Sequence, residues 1–395
     1  MLSTHVIETV KSTIPLLEQV GPAITEHFYE RMFRLNPELK HVFNMSHQHS
    51  GKQRVALFNA IAAYAKHIDN LPVLKEAVER IANKHTSFNI QPAQYQIVGH
   101  HLIETLRELA GEAFTPTVEE AWTQAYQFLA GVFIDRESAL YQQNQAGEGG
   151  WEGPRRFILT EKRMESELVK SFVFEPEDGK SVLDYQPGQY IGIRVKVPGQ
   201  EYDEVRQYSL SSSANGESYQ ISVKREIMGV PGIVSNYLHD GLRLGEAVEL
   251  FAPAGDFYFN NHHRPVVLIS AGVGLTPMMS IAETLAAESY QQPVWFLHAC
   301  ENLEQQSFRK RIITLSKTLN LEVHTWYKRD HVDVSGSHHG LMDLSTLEET
   351  LPLLEGDYYL CGPVPFMQFA KQQLITLGVP ENQIYYEVFG PHEDF

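Results

Sequence analysis

Cysteine is nearly missing from this chain: Cys300 and Cys361 are the two in 395 residues. They lie far apart, build no disulfide framework and fit a reducing compartment. Nowhere do about 18 apolar residues run together, so no membrane-spanning helix is expected. The start, Met1-Leu2-Ser3-Thr4-His5, has neither a basic segment nor an apolar core. We therefore expect no signal peptide and a cytoplasmic protein. Positive charge is short as well. Lys and Arg number 32 against 49 Asp and Glu, a net charge of -17, which argues against a nucleic-acid partner. What the chain has is length and apolar content. At roughly 150 residues per domain it accommodates two or three domains. Its 43% hydrophobic and 11% aromatic residues are enough for their cores.

Residues 1–145 read as all helix. The organising stretch is 74–88, where Leu74, Val78, Ile81 and Phe88 take the spacing of one buried helical face. His85 sits on that face. It is either a core histidine bonded to a backbone carbonyl or an axial metal ligand in a flat apolar pocket. No Cys-x-x-Cys-His occurs, so a haem there would be held without thioether links. Further stripes are Ile24, Phe28, Met32 and Leu35, with Tyr29 beside them; Leu57, Ala60, Ile61, Tyr64 and Ile68; Tyr95, Val98, Leu102, Leu106 and Leu109; and Val118, Trp122, Ala125, Leu129 and Val132. Pro22, Asn36-Pro37, Leu71-Pro72, Pro92 and Thr115-Pro116 mark the boundaries. The second stripe, in a helix starting near Gly51, extends back to Gln53. That amide either faces something polar or emerges into water at a frayed first turn. Glu137, one turn beyond Phe133, is either solvated at an edge or turned towards a buried imidazole. Helices of unequal length without a heptad repeat suit a ligand-holding helical fold better than a simple bundle.

After a turn-rich linker at 142–150 the period changes to about two. Short strands are predicted over Arg156–Thr160, Val169–Phe174, Tyr190–Val195, Gln207–Ser211, Tyr219–Lys224 and Ala247–Phe251, which suggests a small antiparallel barrel. Arg206, Gln207, Tyr208 and Ser209 place a cation, an aromatic face and a hydroxyl at the start of one strand. A flavin nucleotide needs such groups: a fixed charge for phosphate, a ring to stack on, and polar groups for its edge. Gly232–Leu238 reads as a helix start whose N–H groups could take a pyrophosphate.

From about 260 the pattern is α/β. The apolar run Val266–Ser270 reads as a buried parallel strand. Ala271-Gly272-Val273-Gly274-Leu275-Thr276-Pro277 follows, then a helix over Met278–Ala287. Strand, glycine turn and helix is the context that makes such a turn a phosphate cradle, although the third glycine of the dinucleotide fingerprint is missing. Pro293–Ala299, Glu322–Tyr327, Tyr358–Leu360 and Ile384–Val388 supply four more strands, and the alternation implies a parallel sheet. Cys361 is either a packing residue or a member of a ligand site at its strand's carboxyl end. Glu301 follows the second strand with its aim undetermined. Phe389 either covers a flavin face or caps the core.

Phe43 after a corner containing Pro37, Gln53 and Leu57 on one helix, and Lys84-His85 at the end of another resemble a bacterial globin. Pro187-Gly188-Gln189-Tyr190 together with Arg206–Ser209 resembles the flavin domain of ferredoxin–NADP reductase-type proteins. End to end, the chain resembles the flavohaemoglobins, cytosolic nitric oxide dioxygenases of bacteria and yeasts. The resemblance implies an all-α globin at 1–145, an antiparallel β-barrel FAD domain at 151–258 and an α/β NAD(P)H domain at 260–395. It implies haem b on His85 as proximal ligand, oriented by Tyr95 and Glu137, with Tyr29 and Gln53 on the distal side and Phe43 and Leu57 in the pocket. Lys84 and Glu387 match positions that tune the haem–flavin contact. Tyr190, Arg206, Gln207, Tyr208, Ser209, Val388, Phe389, Gly390 and Pro391 match FAD positions, although relatives carry cysteine at 388. Gly272, Val273, Gly274, Leu275, Thr276 and Pro277 match the site for NADPH or NADH. The implied substrates are NO and O2, and a monomer is expected. The rival functions are an NAD(P)H-dependent flavin, ferric or quinone reductase with a sensing globin, and a non-catalytic oxygen- or lipid-binding globin.

Overall fold

The computed structural model describes residues 2–43 and 52–390. Gly51 and Pro391, both named above, lie outside the described residues. By compactness the chain divides in two. One unit is Met1–Ala146 with Trp151–Pro154 and Arg194–Arg206; the other is Gly147–Gly150, Arg155–Ile193 and Gln207–Phe395.

The first unit is helical: α1 (Thr4–Ser12), α2 (Ile14–Val20), α3 (Ala23–Leu35), α4 (Lys52–His67), α5 (Lys75–Thr86), α6 (Pro92–Ala110) and α7 (Pro116–Ala146). Ser3 caps α1 through its hydroxyl, which accepts from the Val6 N–H. The side chains of Gln91 and Gln94 form a reciprocal capping box at α6, with Pro92 in the first turn. Ile24, Phe28 and Met32 are buried as their stripe predicts, and so are Tyr64, Leu102, Leu106, Trp122 and Ala125. Leu35, Ala60 and Leu109, at the margins of their stripes, are exposed instead. The boundaries named above omit α1 and α2, which are short and lie before the first helix that the periodicity identifies, although Pro15 stands in the first turn of α2.

Two sheets follow in the chain. β1 (Arg155–Met164), β2 (Val169–Pro176), β3 (Tyr190–Val195), β4 (Glu204–Ser209), β5 (Tyr219–Lys224) and β6 (Ala247–Leu250) form one sheet in the order β4-β3-β6-β1-β2-β5. Its registered pairs are antiparallel, with a bulge between Leu159 and Glu161. The predicted helix at Gly232 is one turn, α8 (Ile233–Asn236), continued by a π-turn at Tyr237–Gly241. Its first N–H is engaged, since Gly232 donates to the Glu226 carbonyl at 3.0 Å.

β7 (Val266–Ala271), α9 (Leu275–Ala287), β8 (Val294–Cys300), α10 (Arg309–Leu315), β9 (Leu321–Tyr327), β10 (Ser337–His339), β11 (Asp357–Cys361), α11 (Val364–Thr376) and β12 (Ile384–Glu387) complete the chain. Their sheet is parallel, in the order β10-β9-β8-β7-β11-β12. The sequence pattern does not reveal β10. Three residues are too few to show a period, and its anchor is a side chain: His338 stacks on Trp326, ring centroids 4.4 Å apart. The strand order reverses between β7 and β11, so the crest above that pair is the switch point where open α/β sheets bind ligands.

Between the two sheets sits a buried carboxylate. Glu283 on α9 accepts from the Ser213 N–H at 3.2 Å and from Arg311 on α10 at 2.8 Å. Burial outweighs Arg311 and pushes the carboxyl of Glu283 above its ordinary pKa. A raised folded-state pKa means this group favours folding below the ordinary carboxylate pKa. The contribution is lost as pH climbs through the folded value. At neutral pH, Glu283→Gln should therefore leave the unfolding midpoint unchanged or higher. Arg311→Ala, which strands the carboxylate, should lower it. Thermal unfolding of the two variants checks this, and a clear loss in Glu283→Gln would show that the ion pair is a net stabiliser.

Candidate functional site

The predicted residues fall into three clusters, described in turn. The first surrounds His85 at the end of α5. Its Nδ1 lies 2.7 Å from Glu137 Oε1 and 2.8 Å from the Tyr95 hydroxyl. The Tyr95 O–H donates to the same Glu137 oxygen at 2.5 Å. A carboxylate only accepts, and the Tyr95 proton is already committed to it, so Nδ1 of the neutral imidazole must carry the proton. That leaves the lone pair on Nε2, which has no hydrogen-bond partner among the described residues. Glu137 is 3% exposed, so the edge-solvated alternative is ruled out. Burial first, and Glu137 second, push the Tyr95 phenol far above its ordinary pKa, so it stays a donor.

Packing fixes these groups. Phe133 stacks on Tyr95 at 6.3 Å between centroids and touches the imidazole at 5.9 Å. Tyr126 donates to the Tyr95 carbonyl at 2.6 Å. Arg136, one residue before Glu137, grips Glu79 on α5 with two bonds of 2.6 Å, tying the helix of the imidazole to the helix of its carboxylate. Phe133 serves the sequence reading as a landmark, while Tyr126, Arg136 and Glu79 do not enter it. On α7 Phe133 stands seven residues after Tyr126 and three before Arg136, and on α5 Glu79 stands six before His85, spacings that single out nothing until the helices are paired. Lys84 is half-buried beside His85.

Tyr29 is 5% exposed and stacks on Phe33, with centroids 5.8 Å apart; Phe43 meets both rings edge-on. Leu57 packs against the same core. Gln53 Oε1 is buried and has no hydrogen-bond partner among the described residues. The frayed-into-water alternative therefore fails for this oxygen. Leaving it unsatisfied costs about 1–3 kcal/mol, a debt that a polar ligand would remove.

The second cluster spans β3 and β4. Arg206 is fixed by Glu204, with Nη2 2.9 Å from Oε2, and both side chains are largely covered. Gln207 and Tyr208 are half-buried and Ser209 is buried. Tyr190 pairs with Ala254, and its ring lies where a side chain on Gly255 would sit, 2.9 Å from an added Cβ. Glu387 closes β12 in register with Cys361. Val388 is buried, whereas Phe389 is 46% exposed and caps no core.

The third cluster is the crest of the parallel sheet. Helix α9 begins at Leu275, three residues earlier than predicted, so Leu275, Thr276 and Pro277 form its first turn. Val273 lies between the two glycines, and the Thr276 hydroxyl donates back to its carbonyl at 3.0 Å. Gly272 has φ +54° and open space where a Cβ would be; Gly274 has none, because a Cβ there would lie 2.2 Å from the Cys361 carbonyl. The turns after β7 and β11 therefore touch backbone to backbone. Cys361 is fully buried, and burial, then Glu387, drive its thiol well above the ordinary range, so it is a packing residue.

Family models match all three regions: a globin over residues 26–133, an oxidoreductase FAD-binding domain over 156–259 and an oxidoreductase NAD-binding domain over 268–372. The flavohemoprotein of Vibrio cholerae serotype O1 is 57% identical over 394 residues, covering 99% of both chains. The chain belongs to the flavohemoprotein family. The flavohemoglobin from Malassezia yamatoensis, whose structure holds FAD and heme, aligns with this flavohemoprotein at a TM-score of 0.88 and 29% identity, covering 98% of this chain and 100% of that one. The FAD/NAD-binding domain of nitric oxide dioxygenase from Vibrio cholerae O1 biovar El Tor covers 60% of this chain and 99% of its own at 48% identity, with a TM-score of 0.58.

The two glycines predict unequal costs in this flavohemoprotein. Gly272→Ala meets only the left-handed backbone, about 1 kcal/mol. Gly274→Ala must push the touching backbone turns apart, about 3 kcal/mol. Denaturation midpoints of the two variants check the order, and equal losses would show that the turns separate freely.

Proposed function

We propose that this flavohemoprotein is a nitric oxide dioxygenase that oxidises NO to nitrate with O2 and NAD(P)H through FAD and haem b. The observation that carries the reading is His85, with Nδ1 occupied by Glu137 and Tyr95 and Nε2 left with its lone pair. Three features fit the groups to be bound. His85 offers one nitrogen to a haem iron, Gln53 Oε1 is a buried acceptor in need of a partner, and Gly272 leaves open space at a helix-starting turn. When bound, the haem supplies the centre where O2 and NO meet, FAD converts a hydride into single electrons, and NAD(P)H supplies that hydride.

This chain's residues do the rest. Glu137 and Tyr95 orient the His85 ring and raise its basicity, which favours activating oxygen over carrying it. Tyr29 and Gln53 orient the substrate O2, while Phe43 and Leu57 exclude water. Lys84 adjusts charge on the haem side and Glu387 on the flavin side. Arg206 holds the FAD phosphate, Tyr190 and Tyr208 cover its ring, and Gln207 and Ser209 meet its edge. Val388, Phe389, Gly390 and Pro391 close the flavin site. Gly272, Val273, Gly274, Leu275, Thr276 and Pro277 cradle the NAD(P)H phosphates. These roles correspond to domains at 1–145, 151–258 and 260–395 of a cytoplasmic monomer, a reading that the two buried free cysteines suit.

Since NO and O2 need one electron to become nitrate, a hydride accounts for two nitrates. Nitrate should therefore form at two per NAD(P)H consumed. A reductase with a sensing globin would consume NAD(P)H with flavin, ferric iron or quinone and form no nitrate, and a binding globin would consume none. Tyr29→Phe should speed oxygen release about 10- to 100-fold by removing a hydrogen bond to a charged acceptor, leaving flavin reduction intact. Stopped-flow oxygen release at the unaltered rate would remove Tyr29 from this role. Glu137→Gln should lower turnover about 10- to 100-fold with haem content retained.

A further inference from the structure

The crest of the parallel sheet carries a second charged group beside the glycine turn. Glu301 follows β8, and Lys328 and Arg329 follow β9. Backbone bonds prolong the pairing past both strands, from Lys328 N–H to the Cys300 carbonyl at 3.0 Å and from Arg329 N–H to the Glu301 carbonyl at 2.9 Å. The side chains converge: Lys328 Nζ lies 3.1 Å from Glu301 Oε1, and Arg329 Nε lies 3.0 Å from Oε2. The Arg329 pair lacks hydrogen-bond alignment, since Oε2 has no such partner among the described residues. All three side chains remain reachable, at 38% exposure for Glu301, 55% for Lys328 and 73% for Arg329.

A dinucleotide lies across the carboxyl ends of such a sheet, with its phosphates at the first glycine turn and its adenosine ribose at the end of the next strand. Here that next strand is β8. A free carboxylate there accepts from a ribose 2′-hydroxyl and repels a 2′-phosphate; a nearby Arg or Lys reverses the preference. The Glu301 carboxylate is held by two cations rather than free. Asp330, next to Arg329, accepts from the Leu303 N–H at 2.8 Å, so the local charges balance and the cluster is set apart by two cations that a ligand can reach. We propose that Glu301, Lys328 and Arg329 select the coenzyme and that they favour NADPH over NADH, an inference that rests on the oxidoreductase reading above. The 2′-phosphate takes Lys328 and Arg329 from Glu301, whose own charge limits the preference.

The test uses the full-length holoprotein and two readouts. Calorimetric titration with 2′,5′-ADP and with 5′-AMP reports the 2′-phosphate alone. Ferricyanide reduction with NADPH and NADH reports the coenzyme ratio without NO. The wild type should bind 2′,5′-ADP more tightly than 5′-AMP, by a margin that shrinks as salt rises. K328A/R329A should weaken 2′,5′-ADP about tenfold, leave 5′-AMP within about twofold, and lower the NADPH-to-NADH ratio of kcat/KM in step. Glu301→Gln should move both readouts the other way. Unchanged 2′,5′-ADP affinity in K328A/R329A, or a wild type that favours NADH, overturns the assignment. If neither coenzyme reduces ferricyanide, the oxidoreductase reading fails, while the 2′,5′-ADP titration still decides what the cluster binds.

Discussion

A single proton on His85 Nδ1 governs the helical unit's chemistry. It is pinned because Glu137 can only accept and Tyr95 has already given its own proton to that carboxylate. A buried carboxylate is costly alone, and two hydrogen bonds offset much of that cost. The same two bonds choose the tautomer, orient the ring and present Nε2. Packing is arranged around this contact: Phe133 lies against both rings, Tyr126 props the Tyr95 backbone, and Arg136 ties α7 to α5 through Glu79.

The second unit solves a different problem, that of bringing loops from distant strands to one place. A parallel sheet whose order reverses between β7 and β11 does this by topology. Open sheets of this kind bind ligands at such a reversal, and Gly274 lets the turns after β7 and β11 touch there. Glu283 performs a comparable service between the sheets, where one buried carboxyl meets a backbone N–H from the antiparallel side and a guanidinium from α10.

Much of this is legible in the chain. Periodicities of 3.6 and 2, with proline and glycine punctuation, place the main helices and eleven of the strands near their observed positions. Glu137 and Gln53 stand out because carboxylate and amide are the wrong chemistry for an apolar face. Partnership is less legible. Whether Glu137 meets His85 or water depends on how α5 packs on α7, and the aim of Glu301 depends on the pairing of β8 with β9. The bond that occupies the Gly232 N–H comes from Glu226, in the loop before it, where no regular pattern exists. β10 escapes because its three residues are held by stacking rather than by any alternation of their own.

That short strand has a consequence for the borders of the sheet. An outermost strand displays unpaired backbone groups, an invitation to pairing by a neighbouring polypeptide. Here the border runs for only Ser337–His339, and its middle side chain is flattened against Trp326. So brief a template, roofed by an imidazole, gives a foreign strand little to grow on. A wide, strongly apolar sheet is thereby kept from seeding fibrils along that flank.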